Sequence, residues 1–431
     1  MLGLSRSQKE AVGLLSVGSF LEYFDLMLYI HMAVLLNELF FPKTEPHTTA
    51  LLAAFAFWST YVARPIGALL FGWIGDNIGR KATVIITTMM MVFACITMAL
   101  VKTYAEIGII ASVIVTICRM LQGMSCTGEI AGAELYLTET IQPPLQYPAV
   151  TAVTVFSVLG ATAALTVASL VTSSPDSNWR IAFLIGAGVA ITGFVARTAL
   201  KETPDFVNAK YKMKQAIENA GGDLASLNKN PIVQEKVNWK TTLAYFSLRC
   251  AWPAGFYFAY IYCGNILKQS FSFTSSQVIH QNFIVSIVEL IMACILLGLS
   301  YKIYPLKILK FILGVFTIFI ICCPWLLENA QSSFHILLIQ SFVGTFALGI
   351  IPAAPIFYKH FPIFKRFTYT SFLYALSRIL MYGVTSFGFV YLIDYFSYWG
   401  ILFIMIPVII AYGLALIHFE ELEVKSGNYH P

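Results

Sequence analysis

Residues 71–82 read FGWIGDNIGRKA. The stretch lies between an apolar run over 49–72, interrupted by Arg64, and a second run over 82–101. Gly72, Gly75, Asp76, Gly79, Arg80 and Lys81 are crowded into the gap. As a glycine pattern it invites comparison with a dinucleotide loop. That loop must follow a strand and open a soluble helix, and both flanks here are apolar. The solvent around the flanks therefore decides what the stretch is.

Composition answers that question. Of 431 residues, 58% are hydrophobic and 11% charged, with a mean hydropathy of +0.75. Soluble domains are about 25% charged. Roughly twenty helical residues cross a hydrocarbon core of about 30 Å. Twelve runs of that order occur, over 11–36, 49–72, 82–101, 107–133, 149–171, 180–199, 241–264, 276–300, 308–327, 334–357, 368–392 and 399–418. Lipid cannot satisfy open backbone groups, and the runs are too long for barrel strands. The expected fold is an all-α integral membrane protein of twelve transmembrane helices. The first run carries Glu22 and Asp25 and lacks a small-residue cleavage site, so it is expected to stay as a helix and not be removed as a signal.

Location tells more than the net charge of +5. Most Lys and Arg fall at the N-terminus, in alternate loops and in the C-terminal tail; the opposite loops hold only Lys43, Lys102, Arg180 and Lys268. The positive-inside rule then places both termini in the cytoplasm. No basic block is interleaved with aromatics, so nucleic acid is not an expected partner, whereas basic loops suit anionic lipid headgroups. The eight cysteines lie within or beside apolar runs without a CxxC pair. Free buried cysteines behave as small hydrophobes, and no metal or disulfide role is expected of them.

The polar stretch 201–240 holds seven lysines, Gly221-Gly222 and Asn230-Pro231, and suits a cytoplasmic linker. Six runs precede it and six follow. The expected domains are an N-terminal six-helix bundle over 1–200, the linker over 201–240, and a C-terminal six-helix bundle with a short tail over 241–431. This plan suits alternating access about a midplane site.

Against that topology, Gly72-x-x-Gly75-Asp76-x-x-Gly79-Arg80-Lys81 resembles the loop signature of the major facilitator superfamily. Arg119-Met-Leu-Gln122-Gly123 with Gly128-Glu129 resembles its fourth-helix motif. Leu21-Glu22-Tyr23-Phe24-Asp25, Arg64-Pro65-x-Gly67, Trp179-Arg180-Ile-Ala-Phe and Glu202-Thr203-Pro204 resemble the metabolite:proton symporter family, in its proline/betaine transporter branch. The match is continuous over 15–205 and weaker beyond, where Phe361-Pro362 with Arg366 matches best. The chain departs from the pattern at Asn77 and in the second-half loop, Gly298 to Lys307, which lacks the acid and the Gly-Arg. Members that sense osmotic pressure carry a C-terminal coiled coil; this chain ends shortly after the last run, and osmotic activation is not expected. The resemblance implies a cytoplasmic gate at Gly72, Gly75, Asp76, Gly79, Arg80 and Lys81.

Charges inside the apolar runs mark pathways or pairs. Asp25 and Arg119 lie at similar depth, counted from the ends of their runs at 1.5 Å per residue. A meeting of the two would suit proton coupling, the alternative being a permanent structural pair. Glu22, Asp25 and Tyr29 share one helix face, and Arg119, Gln122, Cys126 and Glu129 share another. Glu22 and Glu129 are further candidates on the proton path, while Tyr29 and Gln122 are candidates for substrate contact. In the second half, Glu289 and Arg378 lie at similar depth, Arg378 beside Tyr374 and Tyr382 at helical spacing. Arg378 suits a substrate carboxylate, unless it pairs with Glu289. Arg249, Trp252, Phe256 and Tyr260 share a face beside Pro253. Their rings suit a quaternary ammonium or plain packing. Arg64 is a substrate or gate candidate, or snorkels toward headgroups.

The expected function is proton-coupled uptake of a small zwitterionic osmolyte or metabolite by alternating access. An organic-acid symporter or exchanger is the alternative, and a non-transporting sensor of the same fold is a third. There is no HExxH, GxSxG or phosphate-binding Walker loop, so enzyme activity and ATP-driven pumping are not expected. No cofactor is expected beyond the coupling proton. The expected setting is a bacterial inner membrane, with small substrate, protons and lipid as partners and a functional monomer.

Overall fold

A computed structural model describes residues 3–42, 45–77, 80–125, 129–173, 178–198 and 237–429. Helices occupy every apolar run of the sequence among these residues. In chain order they are α1 (Arg6–Phe40), α2 (Pro46–Val62), α3 (Arg64–Asn77), α4 (Arg80–Leu100), the single turn α5 (Tyr104–Ile107), α6 (Ile109–Ser125), α7 (Glu129–Thr140), α8 (Gln146–Thr172) and α9 (Arg180–Thr198). The second half holds α10 (Trp239–Phe256), α11 (Cys263–Phe271), α12 (Ser275–Leu299), α13 (Pro305–Glu328), α14 (Ser333–Phe346), α15 (Ala354–Lys359), α16 (Ile363–Phe396) and α17 (Gly400–Lys425). Six described stretches are long and apolar enough, by length and composition, to cross a membrane. The side chains of Gly72–Lys81 and of Glu129, and the linker over 201–236, lie outside the described residues, so the gate motif and the inner relay acid have no placement here.

Local sequence explains where the helices start and break. Ser5 and Gln8 close a capping box on α1, and Thr274 and Gln277 close another on α12, satisfying amide groups that a helix start leaves open. The run over 49–72 divides at Ala63 into α2 and α3. Pro65 has no amide to donate to the carbonyl four residues back, so the ladder fails there. The expected bend at Pro253 is joined by a turn of π-helix over Tyr257–Tyr262. The tenth run, expected as one helix over 334–357, is broken. α14 ends at Phe346, residues 347–353 are irregular, and α15 restarts at Ala354. Gly349 and Pro352 lie in the break, where continuing a helix is least favourable. Its polar backbone is tolerated at this depth because it lines a cavity.

Within the first half α1 packs along α8, and α4 along α9; within the second, α10 packs on α16 and α17. The halves meet along two seams, α8 against α12 and α2 against α16. Close helix approach rests on glycine. A Cβ at Gly160 would stand 2.3 Å from the Phe20 carbonyl oxygen, and one at Gly123 would stand 1.8 Å from that of Thr60.

Replacing Gly160 by Ala forces α1 and α8 apart. We expect a loss of roughly 1–3 kcal/mol, the usual cost of an overpacked core, read as a lowered midpoint of thermal unfolding in detergent. An unchanged midpoint would show that the contact is not tight in the membrane protein.

Candidate functional site

A cavity of ≈ 160 Å³ lies between the halves. Its polar wall is Tyr23 from α1, Glu134 from α7, Arg249 from α10, Glu289 from α12, and Tyr374 and Arg378 from α16. Trp252 and the broken stretch at Gly349–Ile351 complete it. Spacing explains the grouping: Arg249 and Trp252 are three residues apart on α10, and Tyr374 and Arg378 four apart on α16, so each pair shares a face.

Arg249 is the most heavily bonded of these groups. Nη2 donates to Glu134 Oε2 at 3.0 Å, Nε donates to the Tyr245 hydroxyl at 2.8 Å, and Nη2 also reaches the Tyr358 hydroxyl. Tyr358 donates in turn to Glu134. The Glu134 and Arg249 side chains are 5% and 7% exposed, so each charge needs the other in a medium that hydrates neither.

Arg378 is held differently. Its Nη1 donates to the main-chain carbonyl of Arg249 at 3.0 Å, and its guanidinium lies 4.3 Å from the Tyr374 ring centroid and 5.1 Å from that of Trp252. The acceptor is open for a chemical reason. Pro253 stands four residues after Arg249 and has no amide to close the helical bond. The proline that bends α10 thus supplies the anchor for Arg378. Glu289 Oε2 accepts from the Tyr260 hydroxyl at 2.6 Å. The ion pairs of the described residues do not include Glu289 with Arg378, so the structural pairing of these two, open in the sequence, is not formed. A carboxyl group and a guanidinium face one cavity without pairing with each other.

The aromatic stripe is mostly packing. Phe256 stacks on Trp252 at 4.9 Å and tilts against Tyr260 at 5.0 Å, behind the cavity wall, and Arg378 already covers the Trp252 face. An open cage for a quaternary ammonium is therefore absent at these residues.

The first-half candidates form a separate cluster. Arg119 donates Nη1 to the Ala56 carbonyl and stacks 3.9 Å from the Tyr29 ring centroid. Gln122 Nε2 lies 3.6 Å from Cys95 Sγ. Asp25, 6% exposed, has its Oδ1 3.8 Å from where a Cβ of Gly186 would stand. An ion pair between Asp25 and Arg119 does not occur among the described residues. The reason is the tight seating of Gly123 on Thr60. One turn back on each helix, the same register puts Arg119 on Ala56. Glu22 is buried, and buried Arg64 stacks 4.6 Å from the Tyr61 ring centroid, which does not match snorkelling toward headgroups.

Sequence reasoning did not single out Glu134, Tyr23, Tyr358 or His31. Glu134 lies one residue past the expected end of the fourth run, and only the continuation of α7 to Thr140 carries it under the cavity. His31 is buried with its ring 5.1 Å from that of Tyr260.

An all-helical, lipid-facing bundle with ionised side chains gathered on a cavity between its halves defines a polytopic membrane protein of carrier architecture. The chain belongs to the Major Facilitator Superfamily, whose family model matches residues 15–362. It is 29% identical over 277 residues to the proline/betaine transporter of Salmonella typhimurium, covering 62% of this chain and 54% of that protein. The same shares hold at 30% identity for the proline/betaine transporter of Escherichia coli K12. The glycine betaine/proline/ectoine/pipecolic acid transporter of Dickeya dadantii is 26% identical over 279 residues, or 62% of this chain and 54% of that one. The chain thus spans about half the length of the curated relatives it matches. Among solved structures, a D-xylose-proton symporter superposes with a TM-score of 0.69 at 15% identity, over 93% of this chain and 96% of that one, a likeness of fold alone.

Arg378→Met leaves the Arg249 carbonyl buried without a donor, for which we expect a loss of about 1–3 kcal/mol. Adding Pro253→Ala supplies an amide four residues on and should recover most of the loss. Thermal unfolding of the two single variants and the double variant checks this; strictly additive effects would show that Pro253 and Arg378 are not coupled.

Proposed function

We propose that this chain is a secondary transporter that takes up a small zwitterionic osmolyte or metabolite, of the proline or betaine kind, together with protons. One observation carries the reading: the Arg378 guanidinium and the Glu289 carboxyl group face the same cavity, each bonded to a neutral partner and not to the other. A zwitterion neutralises both at once. Its carboxylate takes the remaining donors of Arg378, whose fork keeps free N–H groups after one is used on Arg249. Its cationic end meets Glu289, because the aromatic faces are already covered. The cavity is well below the roughly 300–1,000 Å³ of drug-sized sites, which suits a small solute. The names of the relatives from Salmonella, Escherichia and Dickeya support the same substrate class.

The transport cycle is alternating access between two six-helix bundles, working as a monomer in a bacterial inner membrane with both termini in the cytoplasm. It needs no bound cofactor beyond the coupling proton, and the protein is a carrier and not an enzyme. Asp25 is the coupling acid. It lies two residues from Tyr23, about 200° around α1, so it faces away from the cavity and toward α9. Protonation there acts on the packing of α1 and on the Arg119 cluster, not on the substrate directly. Glu22 and Glu129 extend the proton path.

Uptake of radiolabelled L-proline and glycine betaine into proteoliposomes tests this, with and without an inward proton gradient. Accumulation that ignores the gradient would remove symport and leave exchange; uptake of succinate in place of either zwitterion would favour an organic acid. Asp25→Asn should abolish gradient-driven accumulation and leave counterflow within about twofold, because only the proton-dependent step is lost. Loss of neither would relieve Asp25 of the role. Glu289→Gln should weaken glycine betaine binding by tenfold or more, roughly the worth of one charge-assisted contact, read by isothermal titration. Binding as tight as wild type would place the cationic end elsewhere.

A further inference from the structure

The bond between Glu134 and Arg249 has a second property besides neutralising charge. Glu134 belongs to α7 of the first half, whereas Arg249, Tyr245 and Tyr358 belong to α10 and α15 of the second. It is therefore a tie between the halves, on the side of the cavity nearer the chain ends. A second tie lies nearby, Arg366 Nη1 to Glu139 Oε1 at 2.9 Å, but its carboxylate is 44% exposed and solvent weakens it. The inner tie is desolvated, and both of its charges also line the cavity. The guanidinium that holds the halves together is thus within reach of whatever binds there.

We propose that Glu134 is a resident stand-in for the substrate carboxylate on Arg249, and that the carboxylate taken up by Arg378, which is anchored on the Arg249 main chain, is shared with the Arg249 guanidinium, displaces Glu134 and so releases the halves beneath the cavity. The idea rests on the transport reading above and adds to it the trigger for inward opening. Exchange of one carboxylate for another keeps Arg249 paired throughout, and the displaced Glu134 keeps the Tyr358 hydroxyl as donor until the parting halves admit water to it. Without ligand, opening would have to separate two buried opposite charges, and the loaded carrier opens inward far more readily than the empty one. After release, the return re-forms the Glu134–Arg249 bond, and it proceeds without ligand. The Tyr358 hydroxyl, bonded to both partners, holds them in register. Arg378, anchored on the main chain of Arg249, links the position of the bound carboxylate to the same helix. The tie therefore makes ligand binding the condition for passage and suppresses a leak through the empty carrier.

The test uses the full chain in nanodiscs, with amide hydrogen exchange over residues 354–362 as the report of opening. L-Proline or glycine betaine should raise that exchange severalfold in the wild type, and L-prolinamide, which lacks the carboxylate, should not. Glu134→Gln should show the raised exchange with no ligand and should bind L-proline about tenfold tighter, because the competing carboxylate and the closed form are both removed. Glu134→Asp, which keeps the charge but shortens its reach, should behave similarly and serves if the glutamine variant does not fold. Unliganded exchange in both variants equal to wild type would overturn the tie, as would an equal response to L-proline and L-prolinamide. Counterflow is measured on the wild type in parallel. If L-proline, glycine betaine and succinate all fail to exchange there, the transport reading falls; if counterflow is present and the variants stay closed, only the tie falls.

Discussion

Hydrocarbon neither donates nor accepts a hydrogen bond, so every backbone amide and charge that enters it must be satisfied within the fold. In this chain the constraint acts through particular vacancies. Pro253 cannot close the helical bond to the carbonyl of Arg249, and that carbonyl holds Arg378 at 3.0 Å. The stretch 347–353 gives up helical bonds, and the carbonyl of Gly349 accepts instead from the Tyr412 hydroxyl at 2.5 Å. Each of these two breaks is met by a polar side chain from another helix, and both fall on the cavity. Polar backbone and polar side chains collect in one place because neither has another partner in lipid.

This explains why so much of the fold was legible in the sequence and so much less of the site. Helix existence follows from run length, since a membrane leaves no other way to satisfy twenty amides, and the described helices occupy every expected run. Depth is legible too, because rise per residue is fixed. Rotation is not. Rise per residue counts Asp25 and Arg119 to similar height, yet the azimuth of Arg119 is set by Gly123 seated on Thr60, a contact between runs that no single-run periodicity encodes. The tenth run shows a different limit. Its residues are apolar enough for a span, and its conversion into a broken segment depends on the Gly349 carbonyl finding a partner on α17. Glu134 was lost to a boundary: the apolar run ends one residue before it, and the helix does not.

Charge placement in the cavity separates two kinds of ionic group. Glu134 and Arg249 satisfy each other and are nearly dry; a buried pair of this kind is poor evidence of added stability, and its retention suits a switching role better. Glu289 and Arg378 each rest on a neutral partner, a tyrosine hydroxyl and a main-chain carbonyl. Both face the cavity without an ion pair between them. Within one small volume the protein thus carries a closed circuit and an open one. A ligand that completes the open circuit also stands beside the closed one, because Arg249 supplies both the carbonyl that orients Arg378 and the guanidinium that binds Glu134.

The halves are held together by different physics in two places. Near the chain ends the halves are held by directional bonds between ionised groups, at Arg249 and Glu134 and then at Arg366 and Glu139. Away from them, Phe57 on α2 meets the rings of Tyr257 and Tyr382 edge-on, and Tyr61 tilts against Tyr382 on α16, with the Tyr61 and Tyr382 centroids 4.1 Å apart. A stack loses energy gradually as rings slide, since dispersion sums over many weak contacts. An ion pair in a dry site has no such intermediate: it is bonded, or two charges are bare. A carrier built this way yields progressively at its aromatic end and abruptly at its ionic end. Under the proposed tie, only the abrupt closure answers to a competing charge, so the direction in which ligand binding would act follows from where the arginines and glutamates stand.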